Sequence, residues 1–150
     1  MAASEAERLH QLFMDLVRVG GLLQPDHELP GFSVSMSQAF ALHELDTGTP
    51  LSQQELAERL VLEKSTISRM VADLEDKGMV TRERDAANRR TYRILLTDQG
   101  RDFHARISAS YGAQYHQWTA AMTPAEREAL LVGLPALIRA VGGHGTRRGS

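Results

Sequence analysis

Cysteine is absent from the 150 residues. That excludes disulfides, thiolate metal sites, cysteine nucleophiles and thiol-based redox switches. No run of about 18 apolar residues occurs, so no membrane span is expected. Residues 1–8 are polar and acidic and hold no hydrophobic leader, and the expectation is a cytoplasmic protein. A glycine-rich phosphate loop is also missing; Gly142-Gly-His-Gly145 reads as part of a tail. Ser35 and Ser37 lie in no nucleophile elbow and have no evident base. None of His10, His27, His43, His104, His116 and His144 forms an i, i+4 pair with a carboxylate in a recognisable zinc motif. The expectation is therefore no enzyme, no cofactor and no metal.

A surplus of positive charge is lacking too, since the net charge is −2. Its distribution says more than its sum. Residues 82–93 hold five arginines against Glu83 and Asp85, a local +3, which leaves the rest of the chain at −5. An apolar fraction of 42% and a charged fraction of 24% are ordinary for a globular protein. A chain of this length supports one core, so residues 1–150 are expected to form a single domain.

The order of elements can be read from periodicity and punctuation. Residues 5–23 form an amphipathic helix, with Leu9, Leu12, Phe13, Leu16, Gly20 and Leu23 on one face. Gln24-Pro25 ends it, and two prolines and a glycine mark the loop that follows. Ser35 and Gln38 have capping-box spacing and open a helix carrying Ala39, Phe40, His43 and Leu45. Ser52 and Glu55 open another, which turns Leu56, Ala57 and Leu60 inward. Val61-Leu62-Glu63 is a turn. The next helix starts near Lys64 and buries Ile67, Met70 or Val71, and Leu74, with Gly78 at the left-handed position after its end. Residues 79–85 and 91–96 alternate as a hairpin in which Tyr92, Ile94 and Leu96 share one face. Thr97 caps a long helix to about residue 121. Thr123-Pro124 starts the last helix, which Pro135 should kink. Residues 143–150 read as a disordered tail.

Two helices at a tight turn, then a hairpin with a cationic tip, describe a winged helix-turn-helix over residues 35–97. The fold class is mainly α (α+β), with flanking helices over 5–34 and 98–142. Those helices carry more apolar residues than one small domain can bury. A helical dimer interface is expected from Leu9, Phe13, Tyr115, Trp118, Leu130, Leu134 and Leu137.

Such a module suits double-stranded DNA. The major groove admits one helix, read from near its N-terminus. Lys64, Ser65, Thr66, Ser68 and Arg69 occupy those positions. Arg89 and Arg90 at the hairpin tip suit a narrow minor groove. Arg82, Arg84 and Arg93 flank the tip, to hold phosphates or to brace it, and Asp85 is expected to pair with an arginine. Each feature alone is more often a solvated surface; their order and spacing together point to DNA.

Residues 51–100 resemble the MarR family of bacterial transcriptional regulators. The resemblance rests on Leu56-Ala57-Glu58-Arg59-Leu60, on Ser65-Thr66-Ile67-Ser68-Arg69-Met70-Val71, on the Leu-Glu-x-x-Gly-x-Val pattern of residues 74–80, and on Leu96-Thr97-Asp98-Gln99-Gly100. One departure is Asn88, where the family's wing pattern has a second acid. The resemblance implies a homodimeric repressor of nearby genes bound to a pseudo-palindromic operator. It also implies release by a small, often aromatic, effector bound where the dimerisation helices meet the winged region. Phe13, Phe40 and His43 are the candidate effector contacts, although residues so placed are more often core or dimer contacts. A winged-helix protein-interaction module and a ligand-independent architectural DNA-binding protein are the competing functions.

Overall fold

The computed structural model describes residues 3–20 and 31–145, with the backbone alone at 144 and 145. The expected loop between the first two helices falls almost wholly outside the described residues, as do Leu23, Gln24, Pro25 and His27. In chain order the elements are α1 (Glu5–Val19), α2 (Met36–Leu45), β1 (Leu51–Ser52), α3 (Gln53–Leu60), α4 (Lys64–Asp76), β2 (Val80–Arg84), β3 (Tyr92–Leu96), α5 (Asp98–Ala120) and α6 (Pro124–Gly145). They divide into two compact units, Met1–Ile107 and Ser108–Ser150.

Side-chain caps set most helix starts in the first unit. Ser35 and Gln38 bond reciprocally at the start of α2, and Ser52 and Glu55 do so at the start of α3. The Ser4–Glu7 box that opens α1 was not singled out from the sequence. Each box satisfies amides that the first helical turn otherwise leaves without partners. The α3–α4 turn closes through Val61 at φ 54°, a left-handed conformation that is costly for a β-branched residue. Gly78, at φ 75°, ends α4 in the left-handed conformation its position predicts.

The sheet is antiparallel with strand order β1-β3-β2. Val80 pairs with Leu96 and Arg84 with Tyr92, while Leu51 pairs with Ile94 on the other edge of β3. Strand β1 was not expected, because two residues carry no readable period. Leu42, Leu56, Ile67, Val71, Leu74 and Ile94 are fully buried and form the core of this unit. Each contributes about 1.5–3 kcal/mol by leaving water. That core holds α4 and the β2–β3 hairpin in one body.

One core expectation changes. Tyr92 is exposed rather than packed with Ile94 and Leu96, because it sits at the open end of β3 under the Arg84 guanidinium. Helix α2 buries Gln38, Ala39, Ala41, Leu42 and Leu45, which leaves Phe40 and His43 outward. Helix α1 ends at Val19 with Gly20 as its cap and buries none of its residues.

In the second unit, α6 stays one helix across Pro135. Proline removes one backbone donor but does not end the helix here. The helix also runs to Gly145, so the expected tail over 143–150 begins inside it. Extending an existing helix by a residue costs little compared with starting one. Among the described residues, no helix is long and apolar enough to cross a membrane.

Candidate nucleic-acid interface

Helix α4 separates its two faces cleanly. Ile67, Met70, Val71 and Leu74 are buried. Lys64, Ser65, Ser68 and Arg69 are exposed, and Thr66 is half-buried between the faces. The Arg69 Nε donates to the Ser65 carbonyl at 3.4 Å, so the guanidinium lies back along its own helix toward the N-terminus. Ala72, one turn beyond Ser68 and Arg69, extends the exposed stripe. An alanine there carries no polar signature by which the sequence would mark it. Glu63 occupies the N-cap without a side-chain hydrogen bond. First-turn amides of this kind, with the helix dipole behind them, suit phosphate oxygens.

The wing is braced by its own polar groups. The Asp85 amide donates to the Thr91 carbonyl at 2.9 Å, and the Thr91 amide donates to Asn88 at 2.9 Å. Asp85 Oδ1 accepts from the Ala87 amide at 2.9 Å, and Asn88 Oδ1 accepts from the Arg90 amide at 3.2 Å. Two side chains thus fold the tip locally, as Asx turns do.

The five arginines divide by role. Arg93 donates through Nε to Asp85 at 2.9 Å and through Nη1 to Glu55 at 2.8 Å, tying the wing to α3. Arg84 donates to the Arg89 carbonyl at 2.6 Å and lies over the Tyr92 ring at 4.9 Å. Arg82 lies 3.5 Å from Glu75 of α4. Arg89 and Arg90 are exposed at the tip, and no side-chain bond of either is seen among the described residues. Asp85 does pair with an arginine, as expected; the partner is Arg93.

These bonds move the acids' ionisation downward. The Ala87 amide, and then Arg93, hold the Asp85 carboxyl below its ordinary 3.8. The Ser52 amide, and then Arg93, do the same for Glu55 below 4.5. A carboxyl depressed by folding stabilises the fold at pH values above its unfolded pKa. That contribution fades as pH falls through the lower, folded value. Protection of the Ala87 amide against hydrogen exchange should therefore persist from neutrality to about pH 4 and fall only below it. Loss of protection near pH 6 would contradict a wing held by Asp85.

The remaining site residues sit as follows. Leu9 and Phe13 on α1 are exposed, as are Tyr115 and Trp118, whose rings meet edge-to-face at 4.9 Å. On α6, Leu130 and Leu134 are exposed and Leu137 is half-buried. Phe40 and His43 share the outer face of α2. The His43 ring lies 5.4 Å from that of His104, whose Nδ1 meets Asp46. That histidine pair was not foreseen, because the two are far apart in sequence. Among the described residues no group of three or more histidines or acids is disposed to hold a metal ion.

Comparison with known proteins agrees with this geometry. The model of the MarR family matches residues 34–92. A Thauera aromatica protein named for transcriptional regulation of the hcr operon is 34% identical over 89 residues, 59% of this chain and 54% of that protein. The chain spans about half the length of the curated relatives it matches. Among solved structures, FabT of Streptococcus pneumoniae in complex with DNA aligns with a TM-score of 0.73 at 19% identity, covering 92% of this chain and 95% of that one. The PcaV transcriptional regulator of Streptomyces coelicolor aligns at 0.72 with 23% identity, covering 89% and 97%. At these identities the structural likeness establishes the winged-helix fold. The family and the named relative are transcriptional regulators, not enzymes.

Proposed function

We propose, from the premise that residues 34–92 make this a MarR family chain, that it is a homodimeric, sequence-specific DNA-binding repressor. The observation that carries this is the division of labour in the wing. Arg84 and Arg93 are spent on bracing the tip, while Arg89 and Arg90 are left exposed at it. A bare structural hairpin needs the first pair and not the second. The exposed Lys64, Ser65, Ser68 and Arg69 stripe, carried by the same core, supplies the base-reading half.

Dimerisation is supported by the uncovered apolar surface of each unit. Leu12, Phe13 and Leu16 on α1 are more than half exposed, and so are Leu131 and Ile138 on α6. Runs of this kind on a single chain are covered by a partner in ordinary proteins. A two-fold dimer would place its reading helices one DNA turn apart, roughly 34 Å. An effector that binds one separation of the two heads better than another would release the operator. Phe13, Phe40 and His43 are the residues proposed to meet it.

The test is a mobility shift of the gene's upstream DNA against random DNA, across a salt series. Upstream DNA should bind at least about 10³-fold more tightly than random DNA. Sedimentation should give twice the 16.6 kDa chain mass. Equal, salt-erased binding to both DNAs would instead favour a protein-interaction or architectural role.

A further inference from the structure

The recognition helix is tied to α2 by a polar relay that the DNA contacts do not use. Gln38 is almost fully buried on α2. Its Oε1 accepts from the Ser35 amide at 3.1 Å, which closes the capping box. Its Nε2 donates to Asp73 Oδ2 on α4 at 2.5 Å. The same oxygen lies 2.9 Å from Lys77 Nζ, and Lys77 also donates to the Ser33 carbonyl at 2.7 Å. One carboxylate oxygen therefore joins α4 both to the first turn of α2 and to the segment leading into it. These donors, Lys77 first and Gln38 second, hold the Asp73 carboxyl below its ordinary 3.8.

This arrangement has no obvious value as a surface ion pair. Asp73 is half exposed, and such pairs contribute little. Its worth lies with Gln38, whose buried amide has few alternatives and would be costly to leave unpaired. The bond fixes the position of α4 against α2 near the second half of the helix. It also sits one residue past Ala72, at the end of the exposed stripe.

We propose that Asp73, gripped by Gln38 and Lys77, is a positioning residue that sets the recognition helix at the angle needed to read the operator. This rests on the DNA-binding function proposed above. It makes a prediction opposite in sign to simple electrostatics. An acid on a DNA-facing helix repels phosphate, so its removal alone should tighten binding to any DNA. Loss of positioning weakens binding to the operator only.

Three variants separate these effects, measured by fluorescence anisotropy on operator and random DNA, with circular dichroism confirming the fold at the assay temperature. Asp73→Ala should lower operator affinity on the order of tenfold, about 1.4 kcal/mol, while random DNA binds as well as or better than to wild type. Gln38→Leu changes no charge and should lower operator affinity similarly while leaving random DNA unchanged. Asp73→Asn keeps an acceptor for Gln38 and should restore most of the operator-to-random ratio. If Asp73→Ala fails to fold, Gln38→Leu carries the decision. Retention of the wild-type ratio by both Asp73→Ala and Gln38→Leu overturns the proposal. A wild-type protein with no preference for its operator would instead refute the function on which it rests.

Discussion

Gly100→Ala is expected to lower the melting temperature by about 6–12 °C. Gly100 lies in the first turn of α5, directly against Met79 in the link between α4 and β2. A β-carbon there would stand 2.0 Å from the Met79 carbonyl oxygen, 3.0 Å from its carbon and 3.1 Å from Leu96 Cδ2. Two of those three atoms are backbone and cannot rotate aside. They are also engaged, since the Met79 oxygen accepts the Thr97 amide at 3.0 Å. Thr97 Oγ1 in turn donates to the Gly78 carbonyl at 2.6 Å and accepts the Gly100 amide at 3.0 Å. Relief requires α5 to withdraw from Met79, which breaks the bonds of Thr97 to Gly78 and Met79. Overpacking in a closed site costs about 1–3 kcal/mol and sometimes more. With the Thr97 bonds lost as well, about 3 kcal/mol is expected, and each kcal/mol moves the midpoint of a domain this size by about 2–4 °C. Differential scanning calorimetry checks it; a shift below about 2 °C would mean that α5 can retreat without cost.

The same corner shows what the chain reveals about itself and where it stops. Thr97 and Gly100 stood out in the sequence as part of a Leu-Thr-x-x-Gly pattern, but the clash that demands the glycine involves Met79, which no local reading connects to it. The boxes at Ser35 and Ser52 were legible because the two partners of a capping box stand three positions apart and its chemistry is local. The hairpin was legible because its period of two is short. By contrast, the Arg93–Glu55 bridge and the Gln38–Asp73 bond each join residues more than thirty positions apart, so charge counting could name the arginines but not assign their partners. Helix α1 illustrates a different limit. Its apolar stripe was read correctly as a helix face, yet the face is uncovered, because periodicity reports that a surface is apolar and not what it packs against. Phe40 shows a related limit: α2 is apolar on more than one side, and which side turns inward, here that of Ala41 and Leu42, is set by packing that the periodicity does not report.

Arg89→Ala is expected to reduce operator affinity by about 10–100-fold, with the proposed dimer intact. One well-placed guanidinium contact contributes roughly 1–3 kcal/mol. Two features of the tip make Arg89 the place to spend it. Its carbonyl is fixed by Arg84 at 2.6 Å, so its backbone is held while its side chain projects. The amide of the next residue is fixed by Asn88. Asn88, which replaces an acid in the wing pattern, thus folds the turn through Oδ1 and needs no charge to do so. In this wing the asparagine orients backbone, and the ion pair is the one between Asp85 and Arg93. Asn88→Asp should accordingly change little. Alanine at Arg89 leaves all of these bonds in place, because Arg84 meets a carbonyl that any residue supplies. It also leaves untouched the apolar faces of α1 and α6, so sedimentation should not change. The slope of log affinity against log salt should fall by about 1, the signature of one lost phosphate-level contact. Operator shifts indistinguishable from wild type, in affinity and in slope, would remove the wing from the DNA contact and return its arginines to the role of a solvated surface.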